Sequence, residues 1–155
     1  MSYNNISLNS EFAKYFRLTK LQQCLIKSLI LVGPASPFRL KKLVRRRYES
    51  VCRSLKHLES EGLIHIASTK KGLTNKTKNL YDITGVAFQG LLNIDLDIAW
   101  QMGSWIYIIK EIRRDELLEA LVYLPKEDKL HRLVVPLKDE HMELARKTAL
   151  SIMHE

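Results

Sequence analysis

Cysteine is scarce in this chain. Only Cys24 and Cys52 occur among its 155 residues, so no disulfide framework is predicted and a reducing compartment fits. Both lie within helix-like apolar patterns, where we expect small core residues. The rest of the composition, 46% hydrophobic and 27% charged, is ordinary for a globular protein of this length.

Long apolar segments are absent as well. The longest runs, such as residues 28–32 and 105–109, are far too short to span a bilayer. Residues 1–10 are rich in asparagine and serine and lack the basic start and apolar centre of a signal peptide. We therefore expect a cytoplasmic protein with no membrane partner, in which residues 1–17 form a flexible N-terminal arm.

Motifs of catalysis and metal binding are also missing. No phosphate-binding glycine loop occurs, and no local motif makes a serine a nucleophile. Asp95 and Asp97 are best explained as helix caps or turn residues. The five histidines show no paired ligand spacing: they are His57, His65, His131, His141 and His154. The prediction is a protein that is not an enzyme, with no catalytic residue, metal or cofactor.

The net positive charge is concentrated in one segment of the chain. Residues 38–80, the basic block, hold 12 Lys+Arg and 3 Asp+Glu, a net charge of +9. The other 112 residues hold 13 and 14, a net charge of −1. A dense basic segment on an otherwise near-neutral chain indicates a polyanionic partner.

The basic block overlaps a pattern of short helices. Thr19 and Gln22 have the spacing of a capping box, and Gly33-Pro34 ends the first predicted helix. Ser36-Pro37 starts a second helix. Apart from its apolar residues, Phe38, Leu40, Leu43 and Val44, this second helix is almost entirely basic.

A third helix and a hairpin follow. The third helix is predicted over residues 49–61, with Val51, Leu55 and Leu58 as its apolar face. Residues 63–69 and 79–84 read as two strands around a lysine-rich tip, which is the pattern of a β-hairpin. Thr84 can then cap a fourth helix over residues 85–92.

Residues 49–64, ESVCRSLKHLESEGLI, resemble the recognition helix and first wing strand of MarR/PadR-like and related archaeal or viral winged-helix regulators. Residues 80–92, beginning Leu-Tyr-Asp-Ile-Thr-Gly, are similar to the return strand and following helix of those families. The resemblance covers residues 19–92. It departs from the pattern before the third helix, where Arg45-Arg46-Arg47-Tyr48 replaces the usual glycine turn. The C-terminal third, from about Asn93, matches no pattern of these families, so effector binding is not inherited.

This resemblance implies binding to double-stranded DNA, with the third helix in the major groove and the hairpin as a wing. Residues expected to read base edges are Ser50, Arg53, Ser54 and His57. Residues expected to contact the DNA backbone are Arg39, Lys41, Lys42, Arg45, Arg46, Arg47 and Lys56. The expected wing contacts are Lys70, Lys71, Asn75, Lys76 and Lys78.

The predicted fold class is mainly α with a small β-hairpin (α+β): a winged helix–turn–helix domain over residues 18–92 and a C-terminal helical dimerisation region over residues 93–155. A helix capped by Asp97 is predicted from Ile98 past Arg114, and residues 139–153 as an amphipathic last helix. Residues 117–124 fit a helix or a strand, and residues 130–135 look extended. The dimer interface is predicted at Trp100, Trp105, Ile109 and Ile112. A ligand pocket formed by Trp100, Trp105 and Tyr107 is the alternative.

These patterns together predict a homodimeric, repressor-like transcriptional regulator that binds DNA sequence-specifically. Two alternatives fit the same residues. One is a plasmid or viral replication or copy-control protein with the same DNA-binding fold. The other is a winged-helix module that docks another protein.

Overall fold

The structure is a computed structural model, and it describes residues 6–71, 77–92, 94–112 and 117–136. The chain divides into two compact units, residues 1–93 (unit 1) and residues 94–155 (unit 2). Unit 1 contains α1 (Ser10–Tyr15), α2 (Lys20–Val32), α3 (Pro37–Val44), α4 (Tyr48–Ser60), β1 (Ile64–Lys71), β2 (Thr77–Ile83) and α5 (Gly85–Leu91). Unit 2 contains α6 (Leu96–Met102), β3 (Trp105–Ile112), β4 (Leu117–Leu124) and β5 (Lys129–Pro136). In its described part the protein is therefore α+β, with six helices and two antiparallel sheets.

Local capping determines where α2 and α3 begin. The Gln22 amide donates to Thr19 Oγ1 at 3.1 Å, and the Thr19 amide donates to Gln22 Oε1 at 2.9 Å, so the predicted capping box is confirmed. Ser36 caps α3 through the Arg39 amide at 3.2 Å, with Pro37 in the first turn. Gly33 ends α2 with φ +84°, a conformation that favours glycine.

The core of unit 1 lies between α2, α3 and α4. Leu25 and Leu29 of α2 are fully buried, as is Leu40 of α3. The predicted apolar face of α4 is confirmed, because Val51, Leu55 and Leu58 are all 1% exposed or less. These contacts fix which side of α4 faces solvent.

The predicted hairpin is confirmed as β1 and β2. The strands pair antiparallel from Ile64–Ile83 to Lys71–Thr77, and a bulge at Ala67 interrupts the register. Ala35 also bridges to Tyr81, so the segment between α2 and α3 pairs with the outer side of β2. Thr84 caps α5 as predicted, accepting from the Ala87 amide at 3.3 Å.

Residues 6–17 differ from the predicted flexible arm. Asn9 caps α1 by accepting from the amides of Glu11 and Phe12, and Ile6 is buried. The Asn9 amide also donates to the Leu91 carbonyl of α5 at 2.9 Å, and a Cβ on Gly90 would overlap the Phe12 ring. The arm prediction is therefore wrong over residues 6–17, because contacts with α5 add to the Asn9 cap and hold this short helix.

The long helix predicted from residue 98 past residue 114 is also wrong. Asp95, not Asp97, caps α6, accepting from the Ile98 amide at 3.1 Å. Gly103 adopts φ +81° and ends the helix after seven residues. The following residues, WIYIIKEI, form β3, as their β-branched and aromatic side chains favour. The described residues 105–112 and 117–136 therefore form strands and a turn where the sequence predicted a helical region.

The sheet of unit 2 is a three-stranded meander in the order β3-β4-β5. Residues 117–124, for which the sequence allowed a helix or a strand, form strand β4. The extended conformation predicted for residues 130–135 is confirmed by β5. β4 is central and is buried on both faces from residue 120 to residue 124. The helix predicted over residues 139–153 lies outside the described residues.

Tyr81 makes the stability of unit 1 sensitive to alkaline pH. Burial, with the Glu59 carboxylate as a second cause, raises the pKa of Tyr81 above its ordinary value of 10.0. Below that pH both folded and unfolded states hold the proton; above it the unfolded tyrosine ionises first. The free energy of unfolding should therefore fall as pH rises past 10.0.

Tyr81→Phe removes this proton from the equilibrium. We expect its unfolding free energy to decrease less than that of the wild type between about pH 9 and about pH 11, as measured by urea denaturation. Equal decreases in the two proteins would contradict this assignment.

Candidate nucleic-acid interface

The turn between α3 and α4 consists of three exposed arginines. Arg45 ends α3 in the left-handed conformation, with φ +54° and ψ +50°. Arg47 is the N-cap residue of α4, and its side chain makes no capping hydrogen bond. The first-turn amides of α4 consequently donate to no N-cap side chain, whereas amides of α2, α3 and α5 donate to the capping oxygens of Thr19, Ser36 and Thr84.

This turn borders a concavity of about 540 Å³. Its lining is Leu21, Lys41, Arg45, Arg46, Arg47 and Ser50. Four of these six residues are cations, one offers a hydroxyl, and none is acidic. The concavity therefore combines positive charge and hydrogen-bond donors in a form that suits phosphate oxygens.

Phe38 lies outside the core, although it belongs to the apolar pattern of α3. Its side chain is 50% exposed, and Lys42 Nζ lies 4.4 Å from the centre of its ring. Lys41 Nζ lies 5.7 Å from the same ring centre. These cation–π contacts hold two of the predicted backbone-contacting lysines beside one aromatic surface. The signal in the sequence is a phenylalanine three and four residues before two lysines.

The predicted base-reading residues of α4 differ in how far they project. Arg53 and His57 are exposed on the side opposite Val51 and Leu55, whereas Ser50 and Ser54 are half-buried. His57 Nε2 lies 4.0 Å from Glu61 Oε1, one turn further along. Arg53 is thus the exposed predicted reader that forms no ion pair with another described residue. The predicted backbone residues Arg39, Lys42 and Lys56 are exposed too, and Lys41 is half-buried.

The cations of this surface form no ion pair within the part of the chain that the structure describes. Among the described residues, the ion pairs are His57–Glu61 and Lys110–Glu119, and neither involves a lysine or arginine of the basic block. Nine cations of the block have described side chains without such a pair: Arg39, Lys41, Lys42, Arg45, Arg46, Arg47, Arg53, Lys56 and Lys78. Their charge is available to an external anion.

The hairpin places its predicted lysines at one end. Lys70 lies opposite Lys78 in the register, and Lys71 lies opposite Thr77. Like charges at paired positions are unfavourable in a sheet unless something compensates them. Asn75 and Lys76 lie outside the described residues.

A second concavity beside α4 was not predicted from the sequence. Tyr48, Glu49, Cys52, Arg53 and Lys56 line this concavity of about 380 Å³. Tyr48 is 48% exposed, and a side-chain hydrogen bond with Cys52 raises the pKa of its hydroxyl. Cys52 and Cys24 are unpaired thiols with partial exposure, so the expectation of core cysteines is wrong.

The predicted dimer residues are divided between surface and interior. Trp100 is 52% exposed and Trp105 is half-buried, but the side chain of Ile109 is buried, with 9% exposed. Ile112 lies on β3, and its side chain is outside the described part. Further large apolar side chains are exposed in unit 2: Leu96, Ile98, Met102, Ile106, Ile108 and Val134.

No protein-family model matches this chain, and no curated protein sequence is similar to it. Within the described ranges, no three His, Cys, Asp or Glu side chains are grouped as metal ligands would be. In those same ranges no helix is both long and apolar enough to cross a membrane. The interpretation of this surface therefore depends on its own geometry and charge.

Proposed function

We propose that unit 1 is a winged helix–turn–helix module that binds double-stranded DNA and regulates transcription. In this proposal α4 enters the major groove, α3 and the arginine turn hold the backbone, and the β1–β2 hairpin is the wing. The order α2, α3, α4, β1, β2, α5 and the Ala35–Tyr81 bridge support this assignment. The protein acts by binding and needs no catalytic residue.

The observation that carries the proposal is the unpaired basic surface. The described cations of α3, the turn and α4 are without acidic partners in the described chain, and all but Lys41 are exposed. A surface that only aids solubility normally mixes both signs of charge. A surface that neutralises phosphates gains affinity from the release of counterions, and this needs cations that are free to make contact.

The direction of α4 follows from its charge. Its start carries Arg45, Arg46 and Arg47, and its end carries Glu59 and Glu61. The uncapped first-turn amides add a partial positive charge at the same end as the arginines. A phosphate oxygen can accept from these amides, as anions do at other helix starts. We therefore place the start of α4 against the DNA and its end away from it.

Binding to a random-sequence DNA duplex, measured at two salt concentrations with wild type and Arg53→Ala, tests the proposal. We expect affinity to fall as salt rises, by about 0.9 in the log–log slope for each phosphate contacted. On a site selected for wild-type binding, Arg53→Ala should lose about 1–3 kcal/mol of sequence discrimination and keep most of its non-specific affinity. Salt-independent binding would refute phosphate contacts by the basic surface, and no binding by the wild type would refute DNA binding.

Arg45→Gly separates stability from binding at the turn. A non-glycine residue in the left-handed region destabilises the folded state by roughly 1 kcal/mol. We therefore expect the glycine variant to have a free energy of unfolding about 1 kcal/mol higher than that of the wild type. The same variant loses one cation and should bind duplex DNA more weakly, with a salt slope smaller by about 0.9. Urea unfolding and DNA titration measure the two effects; a variant that gains in both would contradict a DNA contact at Arg45.

We propose that a second copy binds through unit 2. The exposed apolar side chains of α6 and β3 supply the surface, and two copies on one duplex sum the binding free energy of two half-sites. The proposed dimer surface keeps Trp100 from the sequence prediction. It omits Ile109, which is buried, and includes the exposed Ile106 and Ile108 of the same strand.

A further inference from the structure

Glu49 is an exception within the basic surface. It is the single carboxylate between residues 38 and 58, a stretch that holds eight lysines and arginines. It is exposed, as the second residue of α4, and forms no ion pair with any described residue. In a surface that faces phosphates, an unpaired carboxylate is repelled by the ligand unless it meets hydrogen-bond donors instead.

The place of Glu49 on α4 identifies what it faces. Arg53 lies one turn further along, so the two side chains are neighbours on the same side of the helix. Both line the 380 Å³ concavity, with Tyr48, Cys52 and Lys56. Because Arg53 is on the side opposite the buried Val51 and Leu55, Glu49 points toward the groove if Arg53 does.

The donors that a major groove offers to a carboxylate are the amino groups of cytosine and adenine. On the adenine edge the amino group lies beside the N7 acceptor, which repels a carboxylate. On the cytosine edge no acceptor adjoins the amino group, and the neighbouring C5–H is apolar. Tyr48 and Cys52 border the concavity with apolar surface suited to that C5 position.

We propose that Glu49 reads cytosine by accepting a hydrogen bond from its 4-amino group, with Arg53 reading guanine O6 and N7 in the same or the adjacent base pair. This inference rests on the proposed DNA binding and adds a base preference to it. Glu49 is the acceptor and Arg53 the donor of one recognition pair on α4. Sites bound by this protein therefore contain C·G pairs at the position of α4's first turns.

Selection of bound duplexes from a random DNA pool tests the assignment with wild type, Glu49→Gln and Glu59→Gln. We expect a cytosine position with the wild type, and a change to adenine at that position with Glu49→Gln, since glutamine pairs with both N6 and N7 of adenine. Glu59→Gln removes the same charge from the exposed end of α4 and should leave the preference unchanged.

Other outcomes have distinct meanings. If Glu49 only complements the helix dipole, Glu49→Gln will bind all sequences more tightly and keep the wild-type preference, and the inference is overturned. If the wild type binds no duplex, the proposed function fails before the base preference is tested.

A modified base gives a second test that needs no change in the selected sequence. With 2-pyrimidinone, which lacks the 4-amino group, in place of the selected cytosine, wild-type affinity should fall about tenfold. Glu49→Ala should lose less than about twofold on the same change, because it makes no contact with the amino group. Equal losses for both proteins would overturn the role of Glu49.

Discussion

Replacing Arg45, Arg46 and Arg47 together by glutamine is expected to abolish most duplex binding while leaving unit 1 folded. At roughly 1 kcal/mol for each arginine–phosphate contact, affinity falls about 10²-fold, and the slope of log affinity against log salt decreases by about 2.7. The fold is retained because all three side chains are exposed and none caps or pairs in the described chain. Fluorescence titration across a salt series measures both quantities.

A matched variant controls for net charge. Lys14, Lys126 and Lys129 are exposed and lie outside the basic block, so changing them to glutamine removes the same three charges elsewhere. We expect this control to change the salt slope by much less than the triple arginine variant. Equal slopes for the two variants would mean that DNA responds to total charge and not to the arginine turn, and the interface would then be wrongly placed.

Trp100→Glu combined with Met102→Glu is expected to convert a dimer into a monomer. Both side chains are more than half exposed on α6. The apolar residues of α6 flank Ala99, which is fully buried, while Asp97 and Gln101 lie on the far side. The helix therefore buries its smallest residue and leaves its larger apolar side chains exposed, as a surface for the proposed second copy. Sedimentation should give half the wild-type mass.

The same variant should lose about 10²-fold or more in affinity for a two-half-site duplex, because the second half-site no longer binds as part of one complex. On a single half-site it should match the wild type. Gln101→Glu adds a charge to the polar side of the same helix and should remain a dimer. A wild type that sediments as a monomer at micromolar concentration would refute the proposed dimer. DNA binding by unit 1 is tested separately, by the salt series described above.

Most of unit 1 could be predicted from sequence because its signals are local. The capping box at Thr19 and the caps at Ser36 and Thr84 lie within four residues of the amides that they bond. The apolar face of α4 repeats at helical spacing, which makes its buried side readable without knowledge of a partner. The proposed interface follows from the same signals, since the exposed side of α4 lies opposite its apolar face.

Other elements were not readable, because their stability comes from distant residues. Helix α1 is only six residues long and is held by contacts with Gly90 and Leu91 of α5. The apolar run of β3 fits a buried helix as well as a strand, and its pairing with β4 decides between them. The left-handed conformation of Arg45 could not be predicted from sequence, because an arginine does not indicate a positive φ. The sequence showed only that this turn has no glycine.

The sequence by itself determined that one dense block of positive charge lies on a three-helix and hairpin pattern, because charge and short-range periodicity are properties of neighbours in the chain. Tertiary structure decided which of those charges are free. It left the basic side chains of α3, the turn and α4 without acidic partners among the described residues, brought Phe38 out beside two lysines, and placed Glu49 on the same surface. It also buried Ile109 and exposed Trp100. Whether a side chain is exposed or paired depends on residues far away in sequence, and only packing brings those residues together.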